Sequence, residues 1–369
     1  MKRLLYLCWG NIHDNGKAGC ALRGVNKKIK YHLVQFQNNG YTTQLKYVES
    51  KGDSWANLLG VFSSYMSWDT VYSKPIYDVV YIRFAHIDYG FIKLMLKFKK
   101  RNPKVKILLE IPTYPYKGEM IGLKNRILYM KDRFFSLFLR FCTDRIVLST
   151  PDFKSLFGVK TLYIPNGVDY NAVGETKYTQ ENINEVHLIA VSTMQFWHGY
   201  DRLIRGMAEF YERNSKYRVI LHLVGNGDAF KNYKDLVHEN ELENYVIFEG
   251  PQEGRELDSI YEKCFIGVAS LGIHRIDSDL KVSTLKIKEY VSRGLPVITA
   301  GYTDMYNNKT KRYILKFQSD ESNIDIDKIV QFYLGLYSES KCIRHSVRKI
   351  FRPYCDMEEL FKPMIDYLN

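Results

Sequence analysis

The feature that most constrains the fold is an alternation between short apolar runs and longer amphipathic segments. Short apolar strands separated by helices favour parallel sheets that are covered on both faces. The series occurs twice, and it therefore predicts an α/β fold with two doubly wound domains. The predicted strands lie at residues 4–9, 43–48, 79–83, 105–111, 145–149 and 161–164, and then at 186–192, 218–224, 245–249, 265–270 and 296–299. The predicted helices include residues 25–39, 200–214, 229–240 and 254–263.

A turn separates the two series. Ile164-Pro165-Asn166-Gly167 ends a predicted strand and is followed by a polar, weakly patterned stretch. The chain has 369 residues, which is enough for two ordinary domains. We therefore predict one Rossmann-like domain at residues 1–170, a second at 171–345, and a C-terminal segment at 346–369 that packs back on the first domain. In that last segment, Pro353 is expected to separate two helices.

One segment in the second half has the pattern of a helix that runs at once into a buried strand. Ser283 or Thr284 is expected to cap the first turn, and Gly294 to adopt the left-handed conformation after the last turn. Lys286 and Glu289 are three residues apart and share a face. Amides at a helix start favour an anion, and a carboxylate further along can accept hydrogen bonds from sugar hydroxyls. The pattern fits nucleotide binding, and it fits an ordinary surface helix with a Lys/Glu pair equally well.

Positive charge is concentrated in residues 93–145, which carry fourteen Lys/Arg and four Asp/Glu in a chain of net charge +12. Within this region, residues 124–141 form a basic amphipathic segment. Such a helix can lie on an anionic membrane surface, where each nearby cation contributes about 1 kcal/mol. The alternative is a core-facing helix whose charged side is merely solvated, but the local charge excess favours membrane contact. The apolar stripe is Ile127, Met130, Phe134, Leu137 and Phe141, and the cations are Lys124, Arg126, Lys131, Arg133 and Arg140.

The composition and the cysteines restrict the class of protein. Apolar residues make up 46% and charged residues 25% of the chain, as in ordinary globular proteins. No stretch approaches the ~20 apolar residues that span a bilayer, and the N-terminus has the pattern of a strand rather than of a signal peptide. The six cysteines are irregularly spaced and indicate neither a disulfide framework nor a metal site, so a cytoplasmic, reducing compartment is expected. No RNA-binding or helix-turn-helix signature accompanies the positive charge.

A stiff aromatic loop follows the predicted strand at residues 105–111. Active sites of open parallel sheets lie at such strand ends, so side chains here are candidates to bind acceptor hydroxyls. Glu110 is also a candidate base, the alternative being a structural carboxylate paired with Arg83 or with an amide. The glycine-bearing first loop of the chain is expected at the same edge. The candidates are Glu110, Tyr114, Tyr116 and Glu119 in the aromatic loop, and Asn11, His13, Asp14 and Lys17 in the first loop.

Several segments of the chain carry one family signature. They are Ile164-Pro165-Asn166-Gly167-Val168-Asp169, Trp197-His198-Gly199-Tyr200-Asp201-Arg202-Leu203-Ile204, Leu223-Val224-Gly225-Asn226-Gly227, Val246-Ile247-Phe248-Glu249-Gly250, and Ser270-Leu271-Gly272-Ile273-His274-Arg275 with residues 285–296. Together they resemble glycosyltransferase family 4, and in particular members that assemble bacterial capsular polysaccharides and exopolysaccharides. The resemblance implies the GT-B fold, in which two Rossmann-like domains face each other across a cleft. It also implies retaining sugar transfer from a nucleotide-diphosphate sugar to a saccharide acceptor, which the basic segment predicts to be lipid-linked at the inner face of the plasma membrane.

The chain departs from the family pattern at three positions. The family often has two glutamates separated by seven residues; Glu289 fits the second, but Lys281 stands at the first. Ser192 and His198 stand where the family tends to have an arginine and a lysine. We expect Arg275, Lys281 and Lys286 to replace the lost charge on another wall of the phosphate site. The predicted donor-binding residues are Gly19, His198, Gly225, Asn226, Ser270, Arg275, Ser283, Thr284, Leu285, Lys286 and Glu289, and the predicted catalytic residues are Glu110, Arg275, Lys286 and Glu289.

Positioned cations and helix amides can stabilise a leaving diphosphate, so neither a metal nor another cofactor is expected. Asp277-Ser278-Asp279 has the spacing of a metal-binding pair, but it precedes a helix instead of ending a strand, and a loop is the favoured interpretation. Two other functions remain open. One is a sugar-nucleotide epimerase of the same architecture, and the other is a non-catalytic relative that binds sugar nucleotides.

Overall fold

The computed structural model describes most of the chain. The described residues are 1–9, 21–51, 57, 59–71, 75–83, 86–116, 120, 122–176, 184–213, 216–276, 281, 284–337 and 342–369, with the backbone alone at residues 21–24. Several predicted site residues lie outside these ranges. They are Asn11, His13, Asp14, Lys17, Gly19, Glu119, Ser283 and the Asp277-Ser278-Asp279 motif.

The chain forms two units. The first comprises Met1–Gly16, Ile29–Pro165 and Phe361–Asn369, and the second comprises Lys17–Lys28 and Asn166–Leu360. The passage from one to the other after Pro165 falls within the Ile-Pro-Asn-Gly turn.

The described part of the first unit is built on a seven-stranded sheet. Its strands are β1 (Lys2–Trp9), β2 (Tyr41–Val48), β3 (Val79–Arg83), β4 (Lys106–Ile111), β5 (Arg145–Leu148), β6 (Ser155–Leu156) and β7 (Val159–Tyr163). The strand order is β2-β1-β3-β4-β5-β7-β6, and all pairs are parallel except β6 with β7. Leu4 to Leu7 of β1 and Val80 to Ile82 of β3 are almost fully buried, because helices cover both faces of the central strands.

The described helices of more than two turns that accompany this sheet are three. They are α1 (Ala21–Asn38), α2 (Tyr89–Arg101) and α3 (Leu123–Ser136). The Asp88 carboxylate caps α2 by accepting a hydrogen bond from the Phe91 amide at 2.9 Å. Phe91, Met95 and Phe98 then point into the core with Ile107 and Leu109 of β4.

The described part of the second unit is built on a six-stranded, fully parallel sheet. Its strands are β8 (Glu185–Ser192), β9 (Arg218–Gly225), β10 (Val246–Gly250), β11 (Ile266–Val268), β12 (Val297–Thr299) and β13 (Ile314–Lys316). The strand order is β10-β9-β8-β11-β12-β13. Since all strands run the same way, the loops that follow them meet at one edge of the sheet.

The described helices of the second half follow one another to the C-terminus, and the last of them belongs to the first unit from Phe361 onward. They are α4 (Tyr200–Glu212), α5 (Phe230–Glu239), α6 (Gly254–Lys263), α7 (Leu285–Ser292), α8 (Ile326–Tyr337), α9 (Ile343–Cys355) and α10 (Met357–Leu368). The predicted break at Pro353 is wrong, because Pro353 lies inside the last turn of α9. The buried side chains of Phe351 and Cys355 hold that turn in the core. The chain bends at Asp356, whose carboxylate accepts a hydrogen bond from the Glu358 amide at 3.1 Å and so starts α10.

Candidate functional site

The strand order of the second sheet places a switch point between β8 and β11. Ligands of open parallel sheets bind at such points, beyond the carboxyl ends of the strands. The loops after these two strands are in contact, since the Leu271 amide donates to the His198 carbonyl at 2.8 Å. Gly199, at the end of the first loop, has φ +66°, and a Cβ there would lie 2.4 Å from the Gly272 nitrogen. A side chain at position 199 would therefore separate the two loops.

The loop after β9 forms a second wall of the site. Gly225 has φ +124°, and a Cβ there would lie 1.9 Å from the Ser192 carbonyl oxygen. Gly227 has φ +159°, and its Cβ would lie 1.7 Å from the Thr193 carbonyl oxygen. Between them, Asn226 Oδ1 accepts a hydrogen bond from the Gly227 amide at 2.8 Å. The predicted donor residues Gly225 and Asn226 thus lie against the loop that follows β8.

The start of α7 presents an unsatisfied hydroxyl. Thr284 is the N-cap residue, but its side chain makes no capping hydrogen bond, so the expected hydroxyl cap is wrong for this residue. Its Oγ1 is buried and has no hydrogen-bond partner among the described residues. The first amides of a helix also lack partners within the helix. Leu285 follows as the first helical residue. A ligand that accepts hydrogen bonds would satisfy the hydroxyl and these amides together.

The end of α7 is as the sequence predicts. Gly294 adopts φ +88° directly after the helix, and the Leu295 amide donates back to the Tyr290 carbonyl at 3.0 Å.

Lys288 of α7 was not among the residues that the sequence predicted. It is fully buried, and its Nζ donates to both Asp304 oxygens at 2.8 and 2.9 Å and to the Tyr354 carbonyl at 2.7 Å. Lys288 lies one helical turn before Val291, which is buried, and this spacing could have indicated that Lys288 is buried too.

His198 faces α7 as a neutral hydrogen-bond donor. The Gln195 amide donates to His198 Nδ1 at 3.0 Å, so the proton of a neutral ring resides on Nε2. Burial, with a smaller contribution from the charge of Lys286, lowers the pKa of His198 well below its usual value. The ring stacks on Tyr200 with centroids 5.6 Å apart. His198 therefore offers a single uncharged N–H donor.

Lys286 and Tyr200 lie beside this histidine. Lys286 Nζ donates to the Tyr200 hydroxyl at 3.4 Å and lies 5.8 Å from the centre of its ring. Tyr200 is fully buried, and its hydroxyl also hydrogen-bonds the Ser192 side chain. The structure thus brings together Ser192, His198 and Lys286 from three different segments, all within reach of Tyr200.

Arg275 is engaged by protein groups and not open to a ligand. Its Nε donates to Glu321 at 2.9 Å, and its two terminal nitrogens donate to Asp201 at 2.8 and 2.9 Å, to Glu321 at 2.5 Å and to the Phe196 carbonyl at 2.7 Å. These bonds use all five N–H groups of a guanidinium. The expectation that Arg275 replaces a lost phosphate-binding cation therefore disagrees with its contacts.

Arg275 lowers the pKa values of the two carboxylates that bind it. Hydrogen bonds from Arg275 are the largest cause that lowers the pKa of Glu321, to about 2. Burial alone would raise the pKa of Asp201, but its bonds and charge interaction with Arg275 outweigh burial and lower it. The three side chains form an ion-pair cluster that ties the turn after β11 to the first turn of α4.

Two further predicted donor residues have defined surroundings. Ser270 is buried at the end of the β11 loop, where its carbonyl accepts from the Ala300 amide at 3.2 Å. Glu289 Oε1 accepts from Lys27 Nζ at 2.9 Å, and its Oε2 has no hydrogen-bond partner in the described part of the chain. One carboxylate oxygen of Glu289 is thus open to a hydroxyl donor.

Glu110, the predicted base of the first unit, is a buried structural carboxylate. Arg83 lies 2.5 Å from its Oε1, and the Tyr81 hydroxyl donates to its Oε2 at 3.0 Å. The side chain is 1% exposed. The structure therefore favours the alternative interpretation, the pair with Arg83, because a base must reach its substrate.

The aromatic loop after β4 presents one of its two tyrosines. Tyr116 is buried, and its hydroxyl donates to the Asp132 carboxylate on α3. The expectation that Tyr116 contacts an acceptor therefore disagrees with its burial. Tyr114 is partly buried against Phe153, with its hydroxyl 3.5 Å from Arg133. Tyr114 remains the described candidate of this loop for acceptor contact.

The amphipathic stripe of residues 124–141 faces solvent. Helix α3 packs into the core through Leu128, Asp132 and Phe135, and Leu139 follows in the next turn. The predicted stripe lies on the other side, where Met130, Phe134, Leu137 and Phe141 are 50–64% exposed. The core-facing interpretation is therefore wrong for these residues, and Leu123 and Phe138 extend the exposed surface. We call the exposed apolar side chains of Leu123, Met130, Phe134, Leu137, Phe138 and Phe141, with the cations between them, the α3 surface.

No helix among the described residues is long and apolar enough to cross a membrane. No group of three or more His, Cys, Asp or Glu side chains in these residues is arranged to hold a metal ion.

Part of the second unit matches a family model. Residues 176–330 match the family Glycosyl transferases group 1. This segment runs from before β8 into α8, and it holds all the described donor-side residues. No curated protein matches the chain in sequence.

Solved structures share the fold at low sequence identity. A glycosyltransferase from Rickettsia africae ESF-5 has a TM-score of 0.65 and 14% identity, over 99% of this chain and 97% of that one. HepE from Anabaena, solved with UDP, has a TM-score of 0.62 and 14% identity, over 100% and 99%. The sucrose-phosphate synthase of Thermosynechococcus elongatus has a TM-score of 0.64 and 12% identity, over 100% and 98%. The fold is therefore that of GT-B glycosyltransferases, with two Rossmann-like units.

Proposed function

The protein is a glycosyltransferase of the GT-B fold with a group 1 glycosyltransferase domain, and we propose that its donor is a nucleotide-diphosphate sugar held at the start of α7. The observation that carries this proposal is the buried Thr284 hydroxyl, which has no partner among the described residues. It lies at a helix N-terminus two residues before Lys286, whose charge acts on the neutral His198. A diphosphate offers the acceptor oxygens that this arrangement lacks.

The proposed chemistry is stabilisation of a leaving diphosphate. In the reaction the bond from the anomeric carbon to the diphosphate oxygen breaks, a bond to an acceptor oxygen forms, and the acceptor loses its proton. Negative charge then collects on the diphosphate. Lys286 supplies a cation, His198 Nε2 a hydrogen bond, and the α7 amides their dipoles. Charge-assisted hydrogen bonds contribute roughly 1.5–3 kcal/mol each.

Metal independence and retention of the anomeric configuration belong to the proposal. The three groups above are sufficient in kind to stabilise the leaving group, so activity should persist in EDTA. Retention rests on the family resemblance of the sequence, and proton NMR of the product's anomeric signal tests it. We assign the open Oε2 of Glu289 to hydroxyls of the donor. With Glu110 buried against Arg83, no side-chain base is assigned.

The acceptor is proposed to be a saccharide on a lipid carrier, as in bacterial capsule or exopolysaccharide synthesis. The α3 surface supports this proposal, since it exposes apolar side chains among cations, as helices that bind anionic membranes do. The enzyme would then work at the inner face of the plasma membrane. The sucrose-phosphate synthase among the structural neighbours suggests the competing choice, a soluble sugar acceptor.

Nucleotide binding tests the donor site. HepE is a neighbour solved with UDP, so UDP-glucose is the first donor to try, followed by GDP-, dTDP- and ADP-sugars. A ligand at one hundred times its Kd stabilises a protein by about 2.7 kcal/mol, which a thermal-shift assay detects. Lys286→Ala should weaken binding about tenfold, the loss of about 1.4 kcal/mol. Lys309→Ala, which changes an exposed lysine elsewhere in the unit, is the matched control, and equal affinities of the two variants would refute the site.

Vesicle sedimentation tests the membrane contact. Arg126 and Arg140 are exposed cations of the α3 surface, and reversing both to glutamate should abolish pelleting with phosphatidylglycerol vesicles. Lys160→Glu, at an exposed position on β7, controls for a change of net charge. If the wild type and the double variant pellet equally, the membrane part of the proposal is wrong and a soluble acceptor is favoured.

A further inference from the structure

A short loop of the first unit exposes apolar side chains in a segment that has no ionisable residue of its own. Leu59, Val61 and Phe62 are 60%, 54% and 76% exposed. The segment reads Leu-Gly-Val-Phe-Ser and contains no ionisable residue. A soluble protein rarely gathers such side chains at one exposed turn unless they meet a partner. We call residues 59–63 the apolar loop.

Lys131 on α3 holds this loop by its backbone. Its Nζ donates to the Asn57 carbonyl at 3.1 Å, to the Gly60 carbonyl at 2.8 Å and to Ser63 Oγ at 3.1 Å. An ammonium group has three N–H donors, and these contacts use all of them. Ser63 Oγ also donates to the Gly60 carbonyl at 2.7 Å. The sequence analysis places Lys131 among the membrane-facing cations. In the structure its ammonium group instead binds the apolar loop and holds it next to α3.

Aromatic rings connect the loop to the α3 surface. Phe62 meets Tyr89 with ring centroids 5.4 Å apart, and Tyr89 lies 6.4 Å from Phe135. Phe135 in turn lies 5.1 Å from Phe134, a member of the α3 surface. These ring contacts therefore link the loop to α3 through the buried Phe135, which lies next to the exposed Phe134.

The exposed charges of residues 122–142 have one sign. Residues 122–142 contain a single acidic residue, Asp132, and that residue is buried under Tyr116. Arg126, Arg133 and Arg140 are exposed. Exposed apolar side chains among the exposed cations of this segment are complementary to an anionic lipid bilayer, where phosphates lie above hydrocarbon.

We infer that the apolar loop is a second membrane-inserting element, which enters the hydrocarbon beside the α3 surface while the arginines contact lipid phosphates. The inference rests on the membrane contact proposed above and adds residues that the amphipathic helix does not contain. Binding then has two separable parts. The arginines give the part that falls with salt, and Leu59, Val61 and Phe62 give a part that does not.

The experiment uses the full chain and two variants of Phe62. Phe62→Ser should bind vesicles of phosphatidylglycerol and phosphatidylcholine roughly tenfold more weakly, with the salt dependence unchanged because no charge is lost. Ile76→Ser, at another exposed apolar position of the first unit, is the matched control and should bind as the wild type does. Phe62→Trp should show added fluorescence that shifts to the blue with vesicles and is quenched by brominated lipid.

The outcomes separate this inference from the proposed function. If the wild type binds vesicles but Phe62→Ser binds equally well and the added fluorescence of Phe62→Trp does not change, the loop stays out of the bilayer and the inference is overturned. If the wild type does not bind vesicles at all, the proposed membrane contact fails and the inference fails with it. If sedimentation equilibrium finds a dimer that Phe62→Ser dissociates, the loop is a protein interface and the inference is likewise overturned.

Discussion

Replacing Arg275 by alanine should lower the stability of the second unit, and the loss of stability should be the main effect rather than a loss of nucleotide affinity. The guanidinium donates five hydrogen bonds, to Asp201, Glu321 and the Phe196 carbonyl. The sequence alone predicts the opposite, that Arg275 grips the donor diphosphate. The structural role predicts a lower Tm for Arg275→Ala, whereas the binding role predicts a weaker affinity for nucleotide, so one variant distinguishes the two.

The magnitude follows from the exposure of the partners. The Arg275 and Asp201 side chains are 17% and 16% exposed, so their bidentate pair is only weakly screened. Glu321 is 61% exposed, and its pair with Arg275 contributes little. Hydrogen bonds to charged groups contribute roughly 1.5–3 kcal/mol. We expect Arg275→Ala to lower the free energy of unfolding by about 2–4 kcal/mol, or the Tm by roughly 5–10 °C.

Thermal denaturation and nucleotide titration of the same samples are the assay. The control is Arg213→Ala, which removes an exposed pair with Asp327 and should change the free energy of unfolding by less than about 1 kcal/mol. Arg275→Lys keeps the charge but not the five-donor fork, and it should recover only part of the loss. An Arg275→Ala protein with the Tm of the wild type and a tenfold weaker affinity for nucleotide would refute the structural role.

Three other changes have defined expectations. Burial, opposed by a hydrogen bond from Tyr116, raises the pKa of Asp132 from 3.8 to about 7. The free energy of unfolding should therefore fall by up to about 4 kcal/mol as the pH rises from 4 to 7, because the folded protein must then lose a proton that it holds more tightly than the unfolded chain does. Asp132→Asn should remove this pH dependence, which denaturation at a series of pH values measures. Gly225→Ala would put its Cβ 1.9 Å from a carbonyl oxygen and should lower stability by at least about 1–3 kcal/mol and weaken nucleotide binding. Gly335→Ala, inside α8 with no atom within 4 Å of the added Cβ, should raise stability by about 0.5–1 kcal/mol.

The sequence was a good guide where hydrophobic pattern alone decides. The predicted strand at residues 79–83 and the predicted helix at 254–263 have the observed ends. The predicted strand at 265–270 ends early, because Ala269 and Ser270 turn into the site loop after β11. Strand β13 was not predicted, since it is only three residues long and only its first residue is buried.

The site was only partly predictable, because charge pairing is decided by distant segments. Gly294 takes its left-handed conformation as its sequence position predicts. Arg275 does not follow from local pattern, because its partners Asp201 and Glu321 lie 74 and 46 residues away. Glu110 is similar, and for that residue the sequence left the pair with Arg83 open as an alternative.

The amphipathic stripe shows a third limit. Periodicity identifies an apolar face on α3 but does not say whether that face meets the core or solvent. Here α3 is apolar on two sides, and the buried side is the one with Leu128 and Phe135. The stripe with Met130 and Phe134 is exposed, which the concentration of positive charge around it had indicated.

The central claim is that a donor diphosphate binds at the start of α7. A crystal structure of the protein with bound UDP-glucose tests it most directly. The account predicts that phosphate oxygens lie within hydrogen-bond distance of Thr284 Oγ1, Lys286 and His198 Nε2. A diphosphate bound away from these three groups, for instance against the Arg275 cluster, would contradict it.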